Sequence, residues 1–274
     1  MGDFDLDTRV EGGNGRYQAH ISRDWEIWGP NGGYLAAIAL RAAGREARIP
    51  RPAAFTCHFI SVARFEPVQL EVTPVHQGRR AGSIVVAMRQ GGRPILQAML
   101  RTAAEGPGLE HDVAVVPNVT HPDTLQSWDE IPPRGPTYPF WQNLEGKVMH
   151  SDWLDEEPRA REPVHLEWLR FRPRATFDDI WVDAGRLLLL IDTLSWPAAS
   201  LAHPWPHQFQ GPNLDVTAWF HRFAPESDWL LADHHSPVAQ AGLMGTTARI
   251  WSRDGRLLAS GGAQLLCVPA APRP

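Results

Sequence analysis

A single aspartate interrupts a segment whose pattern is otherwise typical of a β-strand. In GPNLDVTAWFHRF, residues 211–223, a Gly-Pro-Asn turn signal precedes alternating apolar and other residues, which predicts a strand. Asp215 does not fit, because aspartate is depleted in strands and a buried carboxylate needs a partner. Such a carboxylate can orient and deprotonate a water molecule. A solvated aspartate at the start of the strand is the other interpretation.

A second group of polar atoms lies at the start of a predicted helix. The segment 24–47 contains an alanine-rich run that is apolar on almost every side, and such a helix is buried. It begins at Gly-Pro-Asn-Gly-Gly, so the backbone amides near Asn31, Gly32 and Gly33 have no partners within the helix. Those amides and the helix dipole favour a partial negative charge. A plain turn before a helix is the alternative interpretation of the two glycines.

Other sequence patterns give no support for a metal site or a familiar catalytic motif. His203 and His207 are four residues apart, but the prolines between them exclude the helix that a metal-binding pair would use. We find no G-x-S-x-G motif, no P-loop and no dinucleotide-binding glycine pattern. We therefore expect no bound metal and no nucleotide cofactor.

The composition narrows the class of protein. The 274 residues are 43% hydrophobic and carry a net charge of -5, so no overall field favours nucleic acid or an anionic membrane. The N-terminus is acidic and unlike a signal peptide, and the longest aliphatic run, 187–191, is far too short to span a bilayer. Cys57 and Cys267 lie in apolar runs typical of buried thiols in a reducing compartment. We expect a cytoplasmic protein without a nucleic-acid or membrane partner.

The first hundred residues contain the elements of one structural unit. Strand-like pieces at 8–10 and 16–21 precede the buried helix. Three strands and then a fourth, reached through a Gln-Gly-Gly turn, follow at 54–62, 68–76, 82–89 and 94–103.

Residues 164–268 repeat this order. A strand at 164–171 precedes a second apolar helix at 181–201, which Pro197 is expected to kink or end. Further strands are predicted at 214–223, 229–234, 242–252 and 257–268. The repeat is also local, because FTCHFIS at 55–61 parallels VTAWFHR at 216–222.

This order of elements predicts an α+β fold made of two tandem units, each an antiparallel sheet wrapped around a long buried helix. Two copies in one chain predict an internal pseudo-dimer with approximate twofold symmetry. We place the units at 1–105 and 164–274, with a long proline-rich connection at 106–163. Aromatic residues of the connection are expected to hold it to the body: Phe140, Trp141 and Trp153.

The repeat also predicts how many working sites there are. In the aligned halves, Ala54 occupies the position that matches Asp215. Pseudo-symmetry would create two equivalent clefts, yet only one would carry a carboxylate. We expect one site, in which Asp215 of the second unit faces the Gly32–Gly33 helix end of the first.

Specific strings occur in both halves. They are WGPNGGYLAA at 28–37 and the HF within 55–60, then LDVTAWFHR at 214–222, WLL at 229–231 and DGRLLAS at 254–260. In this combination the chain resembles the acyl-CoA thioesterase II family and its broader thioesterase-like bacterial relatives, which have the double hotdog fold.

The resemblance implies a catalytic group of an Asp, a Thr and a Gln that together position a hydrolytic water. Asp215 matches the Asp that precedes a WFHR-like sequence. Gln264 matches the Gln that follows an LVAS-like sequence, but it is displaced by one residue, so a small shift or bulge is needed. The Thr position falls on Pro237, which has no hydroxyl, and Ser236 can substitute if the strand shifts by one residue.

The resemblance further implies hydrolysis of an acyl-CoA or related acyl thioester to free acid and thiol, as in fatty acid metabolism, with the thioester as substrate and no separate cofactor. The helix end at Asn31, Gly32 and Gly33 would bind the developing oxyanion. Coenzyme A carries phosphates, for which the candidate residues are Arg64, Arg79 and Arg80. Solvated loop charges are the alternative interpretation of these arginines.

Two other functions are compatible with the same residues. One is an acyl-thioester-binding hotdog protein that has lost turnover, for which Pro237 is the best argument. The other is a hotdog enoyl hydratase or dehydratase, although its usual Asp/His motif is not found in the sequence. Hotdog proteins commonly pair, so a homodimer of double-hotdog chains is also expected.

Overall fold

One antiparallel sheet surrounds two buried helices. The computed structural model describes residues 1–131, 137–149, 160–204 and 207–270. Within these residues, twelve strands form a single sheet and two further short strands form a separate pair. This architecture confirms the predicted α+β double hotdog fold.

Residues 1–103 supply one half of the sheet. The helices are α1 (Phe4–Asp7) and α2 (Gly32–Arg45). The strands are β1 (Glu11–Gly13), β2 (Arg16–Ala19), β3 (Pro52–Phe59), β4 (Val68–Gln77), β5 (Ala81–Gln90) and β6 (Arg93–Ala103). Their apolar side chains alternate along each strand and face α2, whose central residues from Ala36 to Leu40 are fully buried.

The described residues after 137 supply the other half. The helices are α3 (Ile180–Thr193) and α4 (Ser195–Ser200). The strands are β7 (Leu144–Gly146), β8 (Val164–Phe171), β9 (Phe209–Gln210), β10 (Asp215–Phe220), β11 (Leu230–Gln240), β12 (Leu243–Ser252), β13 (Leu257–Leu266) and β14 (Val268–Pro269). β7 belongs to the sheet but lies inside the connection that we predicted at 106–163. The unit boundaries at 105 and 164 therefore stay predictions.

The two halves join at the centre of the sheet, where β3 pairs with β10. The strand order is β1-β2-β4-β5-β6-β3-β10-β13-β12-β11-β8-β7. Thr56 lies opposite Thr217, and their hydroxyl oxygens are 3.1 Å apart. These two residues are also equivalent in the sequence repeat. The pseudo-twofold axis therefore passes between them.

The two long helices lie antiparallel and in direct contact. The start of α2 meets the end of α3, since a Cβ added to Gly33 would lie 2.8 Å from the Cα of Leu189. The end of α2 meets the start of α3, since a Cβ added to Gly44 would lie 2.5 Å from the Trp181 ring. Glycine therefore allows close approach at both ends of α2, by the α3 backbone at Gly33 and by the Trp181 side chain at Gly44. No helix in the described ranges has the length and hydropathy needed to span a bilayer.

The connection between the halves packs on the outer face of the second half. Four apolar residues there cover Trp168, Trp229, Leu231 and Trp251 of the sheet; they are Val116, Val119, Leu125 and Met149. Phe140 is fully buried against Trp25, and Trp141 packs edge-on against Phe140. The packing predicted for these two residues is thus confirmed, whereas Trp153 lies outside the described residues.

One local prediction is wrong, and another is confirmed at a shifted position. Residues 8–10 are not a strand; the chain before them forms α1 instead, because the Asp3 carboxylate accepts hydrogen bonds from the amides of Asp5 and Leu6 and caps a helical turn. The interruption that Pro197 was expected to cause within 181–201 is confirmed, although it lies before the proline. The second helix ends at Thr193 and α4 begins at Ser195, since Pro197 has no N–H to donate to the Thr193 carbonyl.

The contact at Gly44 makes a prediction about stability. Replacing glycine by alanine inside a helix normally stabilises the fold, by up to about 1 kcal/mol. In Gly44→Ala the new methyl group would meet the Trp181 ring, so we expect a loss of about 1–3 kcal/mol in the free energy of unfolding, measured by urea denaturation. Gly13→Ala is the control, because nothing lies within 4 Å of the added Cβ. A more stable Gly44→Ala protein would contradict the helix contact.

Candidate active site

Asp215 lies at a β-bulge where β10 begins. From Asn213 to Thr217 the chain advances four residues, while their partners Leu265 and Gly262 on β13 are three apart, so β10 contains one extra residue. The amide of Leu214 donates to the carbonyl of Gln264 at 2.7 Å. The amide of Gln264 donates at 3.0 Å to the carboxylate of Asp215 instead of a main-chain carbonyl. An aspartate is compatible with this strand because its side chain completes the ladder.

A second carboxylate, which sequence reasoning missed, lies beside this bulge. Asp192 is in the last turn of α3 and is only 4% exposed. Its Oδ2 accepts a hydrogen bond from the Gly33 amide at 2.6 Å. Its Oδ1 accepts one from the side-chain amide of Asn213 at 2.7 Å, and the same amide reaches the Asp192 carbonyl at 2.9 Å. Asp192 thus connects the end of α3 to the start of α2 and to the segment that leads into Asp215.

The environment makes Asp192 a weak acid. Burial raises the pKa of Asp192 to about 6, although the hydrogen bonds from Asn213 and Gly33 favour the ionised form. Repulsion by the charge of Asp215 makes a smaller contribution to the same rise. Burial, with the charges of Asp192 and Asp215, also raises the pKa of the Cys57 thiol well above its ordinary value. Cys57 is therefore a buried, un-ionised thiol, as its apolar surroundings predict.

The amides at the start of α2 are not all free. The Asn31 side chain caps the helix by accepting from the Tyr34 amide at 2.9 Å, and its own amide group donates to the Thr193 hydroxyl at 3.1 Å. Gly33 donates to Asp192. Among the described residues, the amide of Gly32 has no hydrogen-bond acceptor. It is the donor that remains available at this helix end.

The other residues implied by the resemblance lie on neighbouring strands. Gln264 contacts Asp215 through its main-chain amide. Its neighbours Ala263 and Leu265 face inward, so the half-buried Gln264 side chain points to the outer face of the sheet. Ser236 lies on β11, with β12 and β13 between it and Asp215. Its hydroxyl donates to the Gly245 carbonyl at 3.1 Å. The catalytic roles of Gln264 and Ser236 stay predictions.

A one-residue irregularity does occur at Ser236. The register of β11 against β12 shifts between His235 and Val238. Ser236 is buried there, whereas Pro237 is exposed. The shift by which Ser236 could take the place of the family threonine is therefore available in this strand.

The three candidate arginines do not lie together. Arg64 lies in the loop before β4, and its main chain is bonded to the Gln90 side chain. Arg79 and Arg80 follow the other end of β4, where Gln77 is bonded to the end of α2. A ten-residue strand spans about 30 Å, so one phosphate group cannot contact both sets. Only Arg64 is at the end of the fold that holds Asp192 and Phe59.

The pseudo-symmetric end of the helix pair has different chemistry. Both helices contain fourteen residues, so Gly33 corresponds to Trp181 and Asp192 to Gly44. At the first end a carboxylate meets a glycine amide, whereas at the second an indole ring fills the space against a glycine. On the central strands, Asp215 lies opposite His58, and their counterparts are Ala54 and Trp219. Asp179 at the start of α3 is an exposed N-cap, so in the part of the chain that the structure describes, only the first end has a buried carboxylate bonded to the start of the facing helix.

Comparison with known protein families shows the family of the chain. Residues 118–268 match the acyl-CoA thioesterase C-terminal domain, and residues 21–103 match the acyl-CoA thioesterase N-terminal domain. The chain belongs to the acyl-CoA thioesterase family. The resemblance inferred from the sequence strings is thereby confirmed.

Solved structures similar to this acyl-CoA thioesterase family member share its whole fold. One is a conserved protein of unknown function with the hot dog fold from Alicyclobacillus acidocaldarius, with TM-score 0.82, 23% identity and 100% of each chain covered. The tesB protein of Mycobacterium avium subs paratuberculosis has TM-score 0.81 and 20% identity, covering 97% of this chain and 98% of its own. Acyl-CoA thioesterase II TesB2 from Mycobacterium marinum has TM-score 0.78 and 20% identity, with 98% and 99% covered. At these identities the likeness concerns the fold.

A signal for Asp192 exists in the sequence. Asp192 directly follows the longest aliphatic run, LLLLI at 187–191. A charged residue beside such a buried run is costly unless it has partners. The same argument that drew attention to Asp215 applies to it. The described residues contain no group of three or more His, Cys, Asp or Glu side chains arranged to hold a metal ion.

The raised pKa of Asp192 predicts a pH dependence of stability. Because the pKa of Asp192 rises from 3.8 to about 6 on folding, the folded protein binds more protons than the unfolded chain between these values, and stability falls as pH rises through them. Relative to Asp192→Asn, the wild-type protein should lose up to about 3 kcal/mol of unfolding free energy between about pH 4 and pH 7. Urea denaturation across this range measures the difference. Parallel pH profiles for the two proteins would contradict the assignment.

Proposed function

We propose that this protein hydrolyses an acyl-CoA, or a related acyl thioester, to the free acid and the thiol. The observation that carries the proposal is a pair of neighbouring carboxylates beside the start of α2. Asp192 accepts from the Gly33 amide, and Asp215, held by the Gln264 amide, lies close enough for its charge to raise the pKa of Asp192. A carboxylate can activate a water molecule, and a preorganised amide can stabilise the oxyanion that forms. Membership of the acyl-CoA thioesterase family supports the thioester as the substrate.

The reaction needs one water and no change of oxidation state. The water oxygen attacks the thioester carbonyl carbon while the carboxylate of Asp215 takes one proton from it. The carbonyl oxygen becomes an oxyanion, which accepts a hydrogen bond from the Gly32 amide and is favoured by the dipole of α2. The tetrahedral intermediate then expels the thiolate by breaking the carbon–sulfur bond. The proton held by Asp215 returns to the sulfur, so both products leave with the carboxylate restored.

Glycine at position 32 fits an oxyanion site. A Cβ added there would lie 3.0 Å from the Phe59 ring and 3.1 Å from a carboxylate oxygen of Asp192. Any side chain would therefore fill the approach to the amide. The absence of a Cβ lets a substrate carbonyl come close to the backbone.

Gln264 has a supporting role in this proposal, whereas β12 and β13 separate Ser236 from Asp215. The Gln264 amide fixes one oxygen of Asp215 and leaves the other for the water. Because the Ser236 hydroxyl already donates to Gly245, its oxygen can only accept a hydrogen bond from a ligand or a water. At this separation it does not contact the water held by Asp215.

The phosphates of coenzyme A are proposed to bind at the loop between β3 and β4. Arg64 is part of this loop, and two more arginines contact it. Arg93 donates to the Val62 carbonyl at 2.6 Å, and the guanidinium of Arg23 lies 4.5 Å from the centre of the Phe65 ring. The net charge of -5 gives no overall attraction for phosphates. The three arginines at the end of the fold that holds Asp192 supply a local basic surface instead.

Removing the charge of Asp215 tests the proposal. We expect Asp215→Asn to lower kcat/KM for acyl-CoA substrates about 10²–10⁴-fold, because the amide cannot take a proton from water. Release of free thiol, followed with a thiol reagent across acyl chain lengths, measures this. Ala54→Asp is the matched control at the pseudo-symmetric position, and combined with Asp215→Asn it should restore nothing, since Trp181 fills that end.

Each alternative function has its own outcome in the same assay. Normal thiol release by a well-folded Asp215→Asn protein would end the proposal. Binding of acyl-CoA without thiol release by the wild type would identify a binding protein. A change in enoyl absorbance without thiol release would identify a hydratase.

A further inference from the structure

We infer that the cavity at the Trp181 end of the helix pair binds a phosphate group, either free or carried by a small organic molecule. The cavity has a volume of about 240 Å³ and lies at the opposite end of α2 from the candidate active site. Its lining includes Arg9, Arg41, Gly44, Arg45, Asp179 and Trp181. The inference goes beyond the proposed function, because it gives this end of the fold no part in hydrolysis.

The cavity occupies the pseudo-symmetric position of the candidate active site. Because α2 and α3 each contain fourteen residues, Arg45 corresponds to Thr193, and the N-cap Asp179 corresponds to the N-cap Asn31. At the active end, the Asn31 side chain donates to the Thr193 hydroxyl at 3.1 Å and joins the two helices. At the other end, Arg45 and Asp179 both line the cavity. The same place in the fold therefore carries charged side chains around an open space.

The cavity lining is positively charged. Three guanidinium groups and one carboxylate give it a net charge of +2. Arg41 is paired, since its Nη2 lies 2.9 Å from a carboxylate oxygen of Asp5. In the parts of the chain that the structure describes, Arg9 and Arg45 form no ion pair. Burial lowers the pKa of Arg41, with a smaller contribution from the charge of Arg9, so these two cations are close enough to repel each other.

The carboxylates nearest to these arginines along the chain are bonded elsewhere. Glu46 directly follows Arg45, but its carboxylate accepts a hydrogen bond from the Tyr17 hydroxyl. The Asp179 carboxylate accepts from the Trp181 amide at 2.8 Å and caps α3. The cations of the cavity therefore remain available, although acidic residues outnumber basic ones in the whole chain. Such a local excess of positive charge attracts anions from solution.

Another cavity of the same protein has a neutralised lining. It has a volume of about 410 Å³ and contains Arg253 and Arg256. Arg256 pairs with Glu226 and with Asp254 at 2.8 Å each, and Arg253 pairs with Asp228 at 3.3 Å. Three carboxylates there face two guanidinium groups. A positive excess is therefore not a general property of the arginine-lined cavities of this fold.

Charge and geometry favour a phosphate group as the ligand. A phosphate monoester carries a charge of about -1.5 to -2 at neutral pH, which complements the +2 of the lining. Guanidinium groups bind phosphate oxygens in pairs. The start of α3 borders the cavity, so the dipole of that helix also favours an anion. The half-buried Trp181 ring offers an apolar surface for the organic part of a ligand.

Isothermal titration calorimetry of the full chain at low salt tests the inference with three probes: inorganic phosphate, phenyl phosphate and benzoate. We expect saturable binding of phosphate with a Kd of about 1 mM or lower. Tighter binding of phenyl phosphate would identify the phosphate of an organic molecule as the ligand, and equal binding would identify free phosphate. Benzoate has the same ring with a single charge, so it should bind more weakly than phenyl phosphate. Benzoate binding as tight as that of phenyl phosphate would contradict a phosphate site.

Loss of either unpaired arginine should weaken binding. We expect Arg9→Gln and Arg45→Gln each to raise the Kd for phosphate about tenfold or more, because each removes a charge-assisted hydrogen bond. Arg48→Gln is the matched control. It removes an exposed arginine three residues after Arg45 that does not line the cavity, and it should leave the Kd nearly unchanged.

A variant with the opposite effect separates the site from a general loss of stability. Asp179→Asn removes the carboxylate of the lining but keeps a side chain that caps helices equally well. We expect it to bind phosphate about fivefold more tightly, since a repulsive charge is removed. Asp178→Asn is its control, because Asp178 is exposed and does not line the cavity.

Several results would overturn the inference. One is the absence of saturable phosphate binding by the wild type. Another is binding that Arg9→Gln and Arg45→Gln leave unchanged, or that Arg48→Gln weakens as much. Binding that is lost only in Arg64→Gln would place the phosphate at the loop between β3 and β4 instead. Calorimetry needs no turnover, so an Asp215→Asn protein should bind phosphate as the wild type does, and failure of the proposed hydrolysis is a separate result.

Discussion

The close antiparallel contact between α2 and α3 is the constraint on which the rest of the structure depends. Both helices are apolar on nearly every side and must be covered, so the sheet has to surround them. Glycines at the two ends of α2 let the α3 backbone approach at Gly33 and the Trp181 ring approach at Gly44, until a methyl group no longer fits. The contact fixes which residues meet at each end, and those residues determine where chemistry can occur.

The two ends of this helix pair are related by the pseudo-twofold axis but carry different side chains. At one end the start of α2 binds the buried carboxylate of Asp192, and Asp215 lies in a strand bulge close enough to raise the pKa of Asp192. At the other end the counterparts of these groups are a tryptophan, a glycine and an alanine. The fold therefore repeats, but among the described residues a buried carboxylate that binds the start of the facing helix occurs at one end of the pair. Burial of the second end by Trp181 adds to the stability of the helix pair instead.

The elements that follow from local pattern could be predicted from the sequence. The alternation in 214–223, the all-round apolar character of the two helices and the matching strings at 55–61 and 216–222 give the strands, the buried helices and the repeat. Asp215 could be singled out because an aspartate in a strand breaks a local rule. The break before Pro197 could be expected, but its position at Leu194 follows from the missing hydrogen bond to Thr193.

The contacts that make the site could not be predicted in the same way. From the sequence alone, Asp192 is an ordinary polar residue at the end of a helix. Its hydrogen-bond partner Gly33 is 159 residues away in the chain. The bulge at Leu214 and Asp215 depends on the register of β10 against β13, which no local pattern determines. That the Gln264 main chain contacts Asp215, while its side chain lies towards the other face, follows from the same register. Long-range pairing, not residue type, decides these features.

The central claim is that only the end of the helix pair with Gly32, Asp192 and Asp215 binds the thioester. A crystal structure with an acyl-CoA analogue in which a methylene group replaces the sulfur would test it most directly, because this ketone retains the carbonyl but cannot be hydrolysed. The account predicts the ketone oxygen about 3 Å from the Gly32 nitrogen, with the Asp215 carboxylate on the side open to water. A ketone bound at the Trp181 end, or bound with its oxygen away from the Gly32 amide, would contradict it.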